Sequence, residues 1–232
     1  ILCVIFYYLI KREFGLFLSF IFALFLYLSF NGLTFQPWYD HVAYFFFFLN
    51  VFLLLRYYKQ ISLPKSVYFL SAILTTLSFY SKQDVGLLQI FFILIFFIFN
   101  YSEDMKFILK YYLFSFILMC GGIFLVFSFF TDITYWFNLG QYPHSARFSH
   151  LFITIKFFNI ITSWKLYVSL FLIYKILSNK IHNIHPDSTK LMCLFVIVAV
   201  TPLIAQITSR SHIQTLVTGV PILFFILYLL IK

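Results

Sequence analysis

The stretch FGLFLSFIFALFLYLSFNGL, Phe14–Leu33, runs for 20 residues without a charged side chain. A helix needs about 20 predominantly apolar residues to cross the hydrocarbon core of a bilayer, so this stretch predicts a transmembrane helix. The rest of the chain repeats the pattern: hydrophobic residues make up 63% of the sequence and charged residues only 10%, and the charges fall between apolar runs. A soluble domain of this length has too little interior to bury so much Phe, Ile and Leu. The sequence therefore predicts an all-α, polytopic transmembrane helix bundle.

About eight full spans are expected, preceded by a partial one. The partial span, Ile1–Ile10, would rise only about 15 Å as a helix, so the chain is expected to be a fragment that opens within a helix. No Gly/Ser/Pro-rich linker divides the spans, which predicts a single transmembrane domain over residues 1–232. The full spans are predicted at Phe14–Leu33, Val42–Tyr58, Ser66–Ser81, Val85–Asn100, Phe107–Phe130, Ile160–Leu177, Leu191–Ile207 and Thr215–Ile231.

The basic residues fall unequally on the two sides of these spans. When the connections are assigned alternately to the two sides, one side receives 11 of the 16 Lys and Arg residues and the other receives 5. Cytoplasmic loops carry an excess of Lys and Arg, so the richer side is predicted to face the cytoplasm. The net charge of +9 reflects these scattered residues and does not indicate nucleic-acid binding. The connections predicted to face outward are Thr34–His41, Lys82–Asp84, Thr131–Asn159 and Thr208–Gln214.

The sequence lacks acidic residues in the middle of its spans and lacks a clear cluster of metal ligands. None of the seven acidic residues lies in the middle of a predicted span, which counts against an ion-coupled transporter because such proteins place ionisable groups near the midplane. The three cysteines lie inside apolar runs and are interpreted as small hydrophobes. His182 and His185 have a spacing that suits a metal, but no second ligand cluster accompanies them. No metal site is therefore predicted, and no cofactor is required, although a divalent metal stays open.

The most specific local feature is the turn SKQDVG, Ser81–Gly86, which joins two predicted spans with almost no loop. It holds Lys82, Gln83 and Asp84 at the mouth of the bundle. A lysine that ends one helix and an aspartate that begins the next suit the two helix dipoles, so a purely structural role carries about equal weight. The functional interpretation places the Lys82 ammonium where the phosphate of a lipid would lie, with Gln83 as a substrate contact.

Asp40 is the candidate catalytic residue. It follows Trp38 and Tyr39 and precedes His41 in a short outward loop. Trp and Tyr in such a loop are most often interfacial anchors, which is the structural interpretation. The functional interpretation is that the carboxylate orients or deprotonates an acceptor hydroxyl as a general base.

The remaining candidates lie in the two outward connections nearer the C-terminus. Arg147 and Arg210 either pair with rim lipids and carbonyls or hold a phosphate together with the lysine of the turn. Tyr142 and His144, in the loop GQYPHSAR, suit stacking on a sugar or hydrogen bonding to it. His212 is a further substrate-binding candidate. The end of the long connection, residues 150–159, alternates apolar and polar positions and predicts an interfacial helix.

Two short motifs carry a family resemblance: the Lys-Gln-x-x-Gly turn at Lys82, Gln83 and Gly86, and the stretch Arg210–His212 followed by Pro221. With them, the chain resembles the C-terminal three-quarters of a GT-C-type membrane glycosyltransferase. The resemblance implies an enzyme of the bacterial inner membrane whose functional face points outward. It also implies a polyprenyl-phosphate sugar donor, surrounding membrane lipids and a glycan or lipid acceptor. The family's principal catalytic acid lies on the first outer loop, after the first span, and this chain either starts beyond that point or lacks the residue. The resemblance leaves open whether Asp40 corresponds to a second acidic position of the family.

Three other functions stay open. A polysaccharide polymerase or ligase would depend on the arginines of the long outward connection rather than on Lys82. A non-enzymatic lipid-sugar flippase or transporter would line a central cavity with polar residues. A scaffold subunit would tolerate substitution of Lys82, Asp40 and Arg210 alike.

Overall fold

A computed structural model describes the backbone of residues 1–31, 39–130, 160–178, 185–208 and 219–232. Nearly all of these residues are helical, and no strand occurs in these ranges. Side chains are described for residues 1–29, 41–130, 164–178, 185–205 and 219–232. The helices are α1 (Leu2–Asn31), α2 (Tyr39–Tyr57), α3 (Lys65–Ser81), α4 (Gln83–Asn100), α5 (Ser102–Ser128), α6 (Ile160–Leu177), α7 (Pro186–Thr208) and α8 (Val220–Ile231).

Three of these helices are long and apolar enough to cross a membrane: Gln83–Asn100, Ser102–Ser128 and Pro186–Ala205. Two shorter stretches, His41–Tyr57 and Val220–Ile231, are also apolar helices. The prediction of an all-helical protein is thus confirmed for the described residues, and three of its helices have the length and composition of membrane spans. The number of spans, about eight, stays a prediction.

The helix bounds differ from the predicted spans mainly where polar residues extend a helix. Helix α7 begins at Pro186, five residues before the predicted start at Leu191. Proline suits the first helical turn because its missing N–H has no helical partner there, and Asp187 faces the positive end of the helix dipole. Hydropathy predicts where the apolar run begins, and that point lies inside the helix rather than at its start.

Helix α1 corrects the predicted connection after the partial span. The chain stays helical through Lys11 and breaks instead at Gly15, where φ is 74° and ψ is −175°. This backbone conformation is essentially restricted to glycine, because a Cβ atom would clash with the neighbouring peptide. The break lets the Phe14 ring stack on the Phe22 ring at 5.1 Å and contact Phe225 of α8 at 5.9 Å.

Helices α3 and α7 organise the bundle. Helix α3 packs against α2, α4 and α5, whereas α7 packs against α4, α6 and α8. Large aromatic side chains such as Phe47, Phe48 and Phe195 are fully buried at these contacts. Helix α5 contributes little to the interior: from Ser115 to Ser128 it has no buried residue.

A buried polar cluster links α2, α3, α4 and α5, and consists of Asn50, Ser71, Thr75, Gln89 and Tyr112. The Ser71 hydroxyl donates to Asn50 Oδ1 at 2.7 Å, and Asn50 Nδ2 donates to Thr75 Oγ1 at 3.2 Å. Gln89 Nε2 also donates to Thr75 Oγ1 at 3.2 Å, and the Tyr112 hydroxyl lies 3.4 Å from the same oxygen. Lipid offers these groups no hydrogen-bond partner, so the bonds between helices favour this arrangement.

One end of the bundle, here named the basic end, is where α2 and α4 finish and α3 and α7 begin. Lys190, in the first turns of α7, donates from Nζ to the Gln60 carbonyl at 2.6 Å and lies 4.7 Å from the centre of the Tyr101 ring. Burial, with Asp187 and Asp104 nearby, raises the pKa of Tyr101. Lys232, just after α8, donates to a Glu13 carboxylate oxygen at 2.6 Å. The opposite end, where α3 finishes and α4 begins, is here named the Lys82 end.

Candidate functional site

The turn at the Lys82 end is tighter than predicted. Helix α3 ends at Ser81 and α4 begins at Gln83, so Lys82 is the single residue between them, with φ −154° and ψ 114°. Its N–H donates to the Ser78 carbonyl at 2.9 Å, and its own carbonyl accepts from the Gly86 N–H at 3.0 Å. One extended residue therefore caps both helices, which fixes the position of the Lys82 backbone.

Gly86 permits this turn because α3 and α4 almost touch just beyond it. A Cβ atom on Gly86 would lie 2.2 Å from Phe79 Cα and 2.5 Å from the Phe79 nitrogen. Both are backbone atoms, which cannot rotate away. The glycine of the Lys-Gln-x-x-Gly motif thus has a packing role that is independent of any substrate.

Lys82 is drawn into the bundle and is only 9% exposed. Gln83 and Asp84 are half-buried, and Asp84 lies in the first turn of α4, near the positive end of the helix dipole. Three polar side chains thus lie within one turn of each other at the mouth of the bundle.

The start of α2 lies beside this turn. The Ser78 hydroxyl donates to the Ala43 carbonyl at 3.1 Å, which ties the last turn of α3 to the first turns of α2. His41 is 9% exposed, and α2 begins at Tyr39. The expectation that Asp40 lies in a loop is therefore wrong: its backbone is helical, because the helix continues upstream of the apolar run. The Asp40 side chain lies outside the described residues.

Lys165 is a buried base that is not among the residues predicted for the site. It lies in α6 and is 4% exposed. The neighbouring Trp164 stacks on Phe224 of α8 at 5.8 Å, so the starts of α6 and α8 lie side by side. Because α8 finishes at the basic end, Lys165 belongs to the Lys82 end. A lysine within an apolar span was the available signal.

Among the described Asp, Glu, His, Lys and Arg side chains, the buried ones are all bases: His41, Lys82, Lys165 and Lys190. Glu13, Asp84, Glu103, Asp104 and Asp187, the acids whose side chains are described, are half-buried or exposed. Three of the four buried bases lie at the Lys82 end. In a low-dielectric site, a charged base attracts an anion more strongly than it would in water.

The other predicted site residues, Tyr142, His144, Arg147, Arg210 and His212, lie outside the described residues, as does the predicted interfacial helix. Of the predicted cations, the structure therefore places Lys82 alone. In the described ranges, no group of three or more His, Cys, Asp or Glu side chains could hold a metal ion.

Comparison of the chain with protein-family models, with curated proteins and with solved structures finds no match.

Proposed function

We propose that this protein is a membrane glycosyltransferase that moves a sugar from a polyprenyl-phosphate donor to a glycan or lipid acceptor. The site would be the Lys82 end, facing away from the cytoplasm of a bacterial inner membrane. The observation that carries the proposal is the position of Lys82: buried, on a one-residue turn, beside the start of α2. An anchored ammonium at this position suits the phosphate of a lipid whose tail lies along the bundle.

The proposed reaction is an inverting transfer. An acceptor hydroxyl attacks the anomeric carbon of the sugar, the bond from that carbon to the phosphate oxygen breaks, and the phosphate leaves with its lipid. Lys82, assisted by Arg210 and Arg147, stabilises the negative charge that develops on the leaving phosphate. A carboxylate, for which Asp40 is the candidate, accepts the hydroxyl proton. Gln83, Tyr142, His144 and His212 would contact the sugar.

The test is transfer of labelled sugar from a polyprenyl-phosphate donor by membranes that contain the full protein. Lys82→Met keeps the apolar stem of the buried side chain and removes its charge, and is expected to lower the rate about 100-fold or more, as for other lost charge-stabilising donors. Lys106→Met, an exposed lysine near the basic end, is the matched control and is expected to retain the wild-type rate. Equal rates for Lys82→Met and the wild type would remove the phosphate assignment.

A lipid-sugar flippase or transporter is the second candidate, and the buried polar cluster favours it. Asn50, Thr75 and Gln89 lie near the middle of their helices, where a polar head group would pass. Movement of a fluorescent lipid-linked sugar across proteoliposomes, without any transfer to an acceptor, would support this function over the transferase. Gln89→Leu should then slow the movement, whereas in a transferase it should leave the chemistry at Lys82 nearly unchanged.

A further inference from the structure

A second site candidate lies at the other end of the bundle from Lys82. A groove of about 810 Å³ opens between the first half of α1, α2, α3 and α8. Its volume falls in the range of sites that bind small molecules or lipids. Most of its lining is aliphatic or aromatic, including Leu49, Leu53 and Ile73.

The lining changes from apolar to basic in the same direction along two parallel helices. On α1 it passes from Val4 and Leu9 to Arg12, and on α2 it passes from Leu49 to Arg56, followed by Lys59. The Phe6 ring stacks on the Phe52 ring at 5.3 Å, which holds the two helices side by side. The groove is therefore amphipathic along its length, with an apolar floor and a basic mouth at the basic end.

The mouth carries an excess of positive charge. Arg12, Arg56 and Lys59 are exposed there. Glu13 also lines the groove, but its carboxylate already accepts a hydrogen bond from Lys232 at 2.6 Å. This contact raises the pKa of Lys232, and the formal charges of the two side chains cancel. Three cations are left at the mouth of an apolar groove, which complements one anionic head group joined to an acyl chain.

We propose that this groove binds an anionic phospholipid from the leaflet at the basic end, which the distribution of Lys and Arg predicts to be the cytoplasmic leaflet. The acyl chain would lie along Leu49 and Leu53, and the phosphate would contact Arg12 and Arg56. Arginine suits this role because its planar guanidinium binds two phosphate oxygens at once. Tyr8 and Tyr58, which also line the groove, have the amphipathic character typical of side chains at the head-group level.

This inference does not rest on the proposed transferase activity. The groove shares no residue with the Lys82 end, and its test measures lipid binding alone. A failure of sugar transfer would therefore leave the inference standing, and a failure of lipid binding would leave the transferase proposal standing.

The experiment is native mass spectrometry of the full protein in a neutral detergent, with phosphatidylglycerol and phosphatidylcholine of equal chain length. We expect the wild type to bind phosphatidylglycerol more tightly. The triple variant Arg12→Gln, Arg56→Gln and Lys59→Gln is expected to bind phosphatidylglycerol roughly tenfold or more weakly. Each Lys or Arg near an anionic lipid contributes to the free energy of binding. The matched control is Lys106→Gln, Lys110→Gln and Lys175→Gln, which removes the same charge from exposed bases outside the groove and should bind within twofold of the wild type.

A second variant tests the apolar floor. Leu53→Trp places a larger side chain in the groove and should weaken the binding of both lipids. Leu118→Trp, at an exposed position on α5, should weaken the binding of neither. Equal losses in the two charge triples, or full lipid binding by Leu53→Trp, would overturn the proposal. The proposal would also be overturned if a polyprenyl phosphate bound the wild type more tightly than phosphatidylglycerol does and lost that affinity in the triple variant of Arg12, Arg56 and Lys59.

Discussion

Gly86 is the residue on which the junction of α3 and α4 most directly depends. Its missing side chain lets the α4 backbone approach Phe79 so closely that the turn contains only Lys82. The same turn fixes the position of the Lys82 backbone at the mouth of the bundle. One small residue therefore sets the geometry of the candidate site.

Gly86→Ala is expected to destabilise the protein because the added methyl group would overlap the Phe79 backbone. Overpacked sites typically lose about 1–3 kcal/mol, and the 2.2 Å approach places this site at the upper end of that range. The measurement is the apparent melting temperature of the purified protein in detergent, which should fall by ~5 °C or more.

Gly122→Ala is the matched control for this substitution. No atom lies within 4 Å of a Cβ placed there, and alanine is the better helix former. Its melting temperature should equal or exceed that of the wild type. If Gly86→Ala and Gly122→Ala have the same melting temperature, the close approach of α3 to α4 is contradicted.

Lys82 and Lys165 illustrate what residue patterns can and cannot predict. The turn residues are adjacent in the chain, so their proximity follows from sequence alone. The approach of α6 to α8 joins residues about 60 positions apart (Trp164 and Phe224), and hydropathy contains no information about that contact. The buried Lys165 was therefore visible in the sequence as an unusual residue, but its place at the Lys82 end was not.

At the scale of elements, α3 is the helix that organises the polar interior. Ser71 and Thr75 are one turn apart on α3, and they meet Asn50 of α2 and Gln89 of α4. Each bond is made away from water, where a lost partner is not replaced. The cluster therefore specifies how α2, α3 and α4 rotate against one another.

A double-mutant cycle between Asn50→Ala and Ser71→Ala should reveal a coupling free energy of about 0.5–1.5 kcal/mol, as found for hydrogen bonds between membrane helices. The reason is that the two side chains share the 2.7 Å hydrogen bond from the Ser71 hydroxyl to Asn50 Oδ1. The measurement is the unfolding free energy in mixed micelles.

Ser81→Ala supplies the control cycle with Asn50→Ala. The Ser81 hydroxyl donates only within its own helix, to the Leu77 carbonyl, so the coupling should be close to zero. A coupling between Asn50 and Ser71 that is no larger than this control would show that the α2–α3 pairing is misplaced.

The helices were predictable in kind because long apolar runs leave few alternatives in a membrane protein. The bounds of the helices were less predictable, because polar residues are favourable in the first turn of a helix. Helices therefore extend beyond their apolar runs at Asp40, Gln83 and Asp187. The break at Gly15 was also missed, because charge at Lys11 and Arg12 suggested an earlier end. The polar cluster could not be derived, because it depends on how four helices are rotated.

At the scale of the whole molecule, the bundle has two chemically different ends. The basic end has Arg12, Arg56 and Lys59 around an open apolar groove. The Lys82 end has bases withdrawn into the bundle. Exposed bases suit a membrane surface, and buried bases suit a bound anion, so the two ends are expected to meet different lipids.

The sidedness of these ends follows from the distribution of Lys and Arg and stays a prediction. It requires that the Lys82 end and Arg210 share the outward side, because a single phosphate cannot be held from both faces of a bilayer. It also requires that the connection between α2 and α3, where Ile61 is 91% exposed, faces the cytoplasm.

Labelling of single cysteines with a membrane-impermeant maleimide tests this requirement most directly. In a background with Cys3, Cys120 and Cys193 replaced by alanine, Gln83→Cys and Arg210→Cys should react in intact cells, and Ile61→Cys should react only after permeabilisation. Reaction of Gln83→Cys and Ile61→Cys from the same side, or of Gln83→Cys and Arg210→Cys from opposite sides, would contradict the account.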